Sequence, residues 1–157
     1  MQTPNPIPKL NTQRGFALLE VLIAVLVLSI GLLGIAALQA SALRNNQSAL
    51  ERSQAVVQSY AMLDAMRANP IGARNGDYNL AKSCASAPPA AGDLIAKEKR
   101  SWIQSLGSAL GNDAATCGTI ACVAGVCIIT VEWNDSRGFG GTTVADGTQR
   151  LITVGQI

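Results

Sequence analysis

The chemistry open to this chain is narrow, because its 157 residues contain no histidine and only four cysteines, Cys84, Cys117, Cys122 and Cys127. Without histidine there is no Ser-His-Asp or Cys-His catalysis, no imidazole ligand for a metal, and no side chain that titrates naturally near neutral pH. The even spacing Cys117-x4-Cys122-x4-Cys127 is not that of a zinc ribbon, so no metal is expected. An even number of cysteines in a small domain outside the reducing cytoplasm predicts two disulfides. Cys122 and Cys127 flank Ala124-Gly125 and would bridge a hairpin, leaving Cys84 for Cys117, although all three pairings are open on sequence alone. Asp135 and Asp146 lie in a glycine-rich stretch that permits a calcium site but reads more simply as a surface turn. No phosphate-binding glycine loop follows a strand and no carboxylate pair suits acid–base work. The expectation is a protein that is not an enzyme and takes no cofactor.

One carboxylate stands in an unusual place. Val21 to Leu38 is an eighteen-residue apolar run, extended by Phe16 to Leu19, and Glu20 sits inside its N-terminal edge. Eighteen helical residues span ~27 Å, close to the ~30 Å hydrocarbon thickness of a bilayer. A carboxylate within such a helix is costly and calls for a partner. Lys9 and Arg14 precede the run with no acidic residue, which predicts a cytoplasmic N-terminus and export of everything after Leu38. The competing possibility is a signal peptide cut at Ala40-Ser41-Ala42, but the apolar segment is longer than a usual signal core and Glu20 is foreign to one. The formal charge is only +2, and beyond residue 15 acids and bases balance, so nucleic acid is not an expected partner.

Arg14-Gly15-Phe16-Ala17-Leu18-Leu19-Glu20 resembles the leader junction of type IV pilins and pseudopilins. The resemblance implies that a prepilin peptidase cuts between Gly15 and Phe16 and methylates the new amine of Phe16. It implies further that Glu20, fifth after the cut, meets the terminal ammonium of a neighbouring subunit and sets docking. Ser29-Ile30-Gly31-Leu32-Leu33-Gly34 is similar to the anchor helices of minor pilins of the PilV kind. Major pilins usually carry proline at the position of Ala37, so the resemblance is to a minor subunit. Gly31 and Gly34 would serve flexibility or close helix packing. The implied function is that of a minor pilin in a tip or initiation complex that primes assembly. Implied partners are other minor pilins, the major pilin, the peptidase, inner-membrane assembly machinery and a tip adhesin. A minor pseudopilin of type II secretion is the first alternative, and an adhesin-like or DNA-uptake binding pilin the second. The location implied is the inner membrane with a periplasmic C-terminal domain, and then the filament.

Positioning these groups needs few elements. Residues 1–15 read as the cleaved cytoplasmic leader, 16–40 as the membrane or filament-core helix, 41–68 as its amphipathic periplasmic continuation, and 69–157 as an exported globular region. Ala42, Ala49, Val56 and Leu63, with Leu43, Leu50 and Val57 beside them, form the stripe expected to face the exported domain. Asn69-Pro70 ends the helix and residues 70–92 read as loop. Asp93 is the expected N-cap of a helix over 93–110, with Ile95, Trp102, Leu106 and Leu110 on one face and Lys97-Glu98-Lys99-Arg100 on a solvated one. Thr119 to Val123, Val126 to Trp133 and Gln149 to Val154 read as strands of an antiparallel sheet over about 119–154. The fold class expected is α+β: a pilin-like long N-terminal helix packed on a small antiparallel sheet.

Overall fold

A computed structural model describes residues 18–135 and 147–157. A single helix, α1, runs from Leu18 to Ala68, and is followed by α2 (Pro70–Asn75), β1 (Leu80–Cys84), α3 (Leu94–Leu110), β2 (Cys117–Val123), β3 (Val126–Asn134) and β4 (Thr148–Gln156). The strands form one antiparallel sheet in the order β1-β2-β3-β4. This is the expected α+β arrangement of a long apolar helix and a small antiparallel sheet. The chain divides at Ala40/Ser41 into two units, and the core lies wholly within the second.

Two expectations about chain organisation need correcting. Residues 70–92 are not loop throughout. Pro70 stops α1 but also begins α2, since its missing N–H costs nothing at the first turn of a helix. Asn69 caps that turn by accepting the Gly72 N–H, and Gly76, at φ 83°, closes it in the left-handed conformation. The sheet also has four strands where three were expected. Leu80–Cys84 lacks any apolar alternation, and its strand geometry comes from β2, which it pairs from Leu80↔Ile120 to Cys84↔Cys117.

The face that α1 buries is the larger correction. Ala55, Ser59, Met62, Leu63 and Met66 are its buried residues, whereas Leu43, Leu50, Val56 and Val57 are exposed and Ala42 and Ala49 with them. Of the apolar stripe only Leu63 faces the sheet; the buried face is turned by about one residue, or 100°. Close approach explains the choice. The Ser59 hydroxyl meets that of Thr153 at 2.9 Å, and Leu63 lies on Gly155, where a Cβ would come within 2.5 Å of its side chain. Small residues at the crossing let helix and strand meet, and the hydroxyls satisfy each other there.

The other helix is seated in the same way. Trp102 and Ile103 of α3 lie over Gly118 of β2, where a Cβ would stand 2.5 Å from the Trp102 ring. The Trp102 indole donates to the Gln58 carbonyl at 2.9 Å, tying α3 to α1. Asp93 caps α3 as expected, accepting the Ala96 N–H at 2.8 Å. The run Lys97–Arg100 is less free than a solvated surface. Glu98 accepts a 2.6 Å bond from Tyr78, Lys99 donates to the Asp77 carbonyl, and Arg100 donates to the Pro89 carbonyl. Burial, and then Glu98, push the Tyr78 phenol up to about 12, so it keeps its proton. These charges fasten the segment between α2 and α3, a role that charge patterning alone does not reveal.

Candidate functional site

The first unit consists, in its described part, of the opening of α1. Every residue from Leu18 to Ala40 is exposed, and the helix is long and apolar enough to cross a membrane. Its large apolar side chains, from Leu18 to Leu38, are all more than half exposed. Glu20 lies in the first turn, where the positive end of the helix favours a carboxylate. Ser29 returns its hydroxyl to the Val25 carbonyl at 2.7 Å and so exposes no unpaired donor in the apolar run. Gly31 and Gly34 have nothing within 4 Å of where a Cβ would be, which leaves room for another helix to approach. Gly15 and Phe16, with Lys9 and Arg14, lie outside the described residues.

The second unit carries the cysteines. Cys84 is joined to Cys117 and Cys122 to Cys127, with Cα–Cα separations of 3.9 and 4.0 Å. Register accounts for both: each bond links residues directly opposite on neighbouring antiparallel strands, where side chains are closest. Cys122–Cys127 closes the hairpin beside a two-residue turn in which Ala124 and Gly125 both have positive φ, 52° and 82°. Alanine there costs about 1–2 kcal/mol relative to glycine-like freedom, and the bond holds the turn shut.

The polar end of the sheet was not foreseen. Glu132, only 7% exposed, pairs with Lys82 from β1 and Arg150 from β4; Arg150 approaches at 2.7 Å. Lys82, and then Arg150, hold its carboxyl below the usual glutamate range against the opposing effect of burial. The strands bring together side chains 50 and 18 residues apart, so no local pattern could show it. Because the folded pKa is depressed, the stabilisation is complete above the unfolded value of about 4.3 and is lost as pH falls through the lower folded value. Glu132→Gln should cost about 1–3 kcal/mol at pH 7, and the difference from the parent should shrink in acid. Urea unfolding followed by fluorescence of the buried Trp102 and Trp133 measures it; an equal difference at both pH values refutes it. Nearby, Ser48 donates to the buried Asp135 at 2.5 Å, while Asp146, the other aspartate of that glycine-rich stretch, lies outside the described residues.

Comparison with known families places the prokaryotic N-terminal methylation motif on residues 10–36. No curated protein and no solved structure matches the chain. The motif supports a type IV pilin or pseudopilin, and hence a structural protein that is a prepilin peptidase substrate. Its position on the apolar opening of α1 fits membrane anchoring and a pilus.

Proposed function

We propose that this chain is a minor pilin of a type IV pilus, resembling the PilV kind, which enters a tip or initiation complex through its α1 helix. The observation that carries the reading is the methylation motif over residues 10–36, running directly into an exposed apolar helix with Glu20 in its first turn. Leader residues 1–15 would be removed by the peptidase, and residues 41–157 would be periplasmic before assembly. Ala37 in place of the major subunit's proline, and the similarity of Ser29-Ile30-Gly31-Leu32-Leu33-Gly34 to minor-pilin anchor helices, support a minor role. Its work is helix packing against the major pilin and other minor pilins, and it requires no catalytic group or cofactor.

Mass spectrometry of the mature N-terminus tests the first step. The chain should begin at Phe16, N-methylated, and replacing Gly15 with a bulky residue should leave it uncut. A start at Leu43 would mean signal-peptide cleavage instead. Deletion in the producing cell separates the pilus from its secretion counterpart: pilus number should fall while exoprotein secretion continues, and the reverse would favour a minor pseudopilin.

A further inference from the structure

The two edges of the sheet are built differently. β1 is five residues long, carries Lys82, shifts register between Leu80 and Ser83, and is bridged on by Ala87 at Cys84. Shortness, a lysine and a bulge are the features that keep an edge from pairing with another chain. β4 has none of them. It is nine residues long, has no lysine or proline, and keeps nine successive register pairs with β3 without a shift. Among the described residues no strand lies on its second side. Alternate N–H and C=O groups between Arg150 and Gln156 therefore point away from the sheet.

Apolar side chains border this row both above and below. On the outer face Ile152 and Val154 are 57% and 63% exposed. On the inner face α1 lies over β4, through Ser59 on Thr153 and Leu63 on Gly155, while α3 lies over β2 through Trp102 on Gly118. α3 meets α1 along the flank of Gln58. The opposite flank, which bears Val56 and Tyr60, consequently overhangs the open edge; these two are 38% and 51% exposed.

We propose that the open edge of β4 accepts a β-strand of a different protein, apolar on both faces and acidic at the end beside Arg52. A strand is the conformation that satisfies such a row of main-chain groups. Its side chains would alternate between the Val56–Tyr60 overhang and the Ile152–Val154 surface. The acidic end follows from charge. Arg52 donates to the neutral Gln149 side chain, and Arg150 shares Glu132 with Lys82, so among the described residues the exposed charges bordering this end, Arg52 and Arg150, are both cationic. A second copy fits less well. The β4 of a second copy, Thr148–Gln156, brings an arginine and no acidic residue to the pairing, so it cannot answer the charge at this end.

Hydrogen exchange on the full-length, oxidised chain in detergent tests this, with the synthetic peptide Asp-Asp-Val-Leu-Val-Tyr-Ile-Val as the probe. The outward amides of residues 150–156 should exchange freely without peptide and at least about tenfold more slowly at saturation. The same peptide beginning Lys-Lys should bind about twofold to fivefold more weakly or worse. Val154→Lys, at a largely exposed site outside the core cluster, should abolish the protection and leave tryptophan fluorescence unchanged. Amides already protected without peptide would overturn the proposal, with light scattering then telling a second copy from cover by the chain itself. Failure of the peptide to slow exchange, or equal slowing in the Val154→Lys chain, would overturn it as well.

Discussion

A chain carrying Cys84→Ala and Cys117→Ala together should lose about 3–4 kcal/mol of stability, the chain-entropy value for a loop of this size. The two residues are 33 apart, and the loop they close contains the whole of α3. Their bond also fastens the end of β1, whose sequence has no strand pattern of its own, to β2 beside the ladder pairs of the two strands. A domain of this size is stable by only about 5–15 kcal/mol, so the loss is a large share of the total and extends to the Lys82 contact with Glu132. The Cys122–Cys127 bond spans a separation of five and should contribute about 2 kcal/mol, since the hairpin is already held by seven register pairs. Unfolding midpoints of the two double variants and the parent, followed by tryptophan fluorescence, decide the matter. A smaller loss for the first pair than for the second would show that β1 is secured by its other contacts.

Glu20→Gln should remove the chain from filaments without removing it from the membrane. The neutral amide keeps most of the shape, and the apolar run inserts at least as readily because an ionisable group has been taken out of it. On the proposed reading, what is lost is the attraction to a neighbour's terminal ammonium. Leaving a buried charge without its partner costs about 3–5 kcal/mol, which corresponds to more than about a hundredfold in an equilibrium. The variant should accumulate in the membrane, processed to Phe16, and be depleted at least about tenfold in sheared filaments. Equal incorporation of variant and parent would show that Glu20 does not set docking.

These two sites were legible in the sequence for different reasons. Glu20 stands out because a carboxylate in an apolar run violates a local rule, and the methylation motif around it is contiguous in the chain. Cysteines advertise themselves by type and number, and the hairpin turn at Ala124-Gly125 places two of them opposite each other. The end of α1 at Ala68, the Asp93 cap and the alternation of β2 and β3 are likewise local, carried by residues within a few positions of one another.

Every feature whose cause is near in the chain could be read from the residues alone: the long apolar helix, the carboxylate at its N-terminal edge, the amphipathic α3 and the central hairpin. Tertiary structure alone decided which face of α1 meets the sheet, because that choice depends on fitting Ser59 and Leu63 against Thr153 and Gly155, and apolar periodicity describes a helix without its counterpart surface. It alone made a strand of Leu80–Cys84, which borrows its hydrogen bonds from β2. It alone assembled Lys82, Glu132 and Arg150 from three strands and, among the described residues, left β4 paired on one side only. In each case the deciding interaction joins groups far apart in sequence, and a one-dimensional pattern holds no term for their meeting.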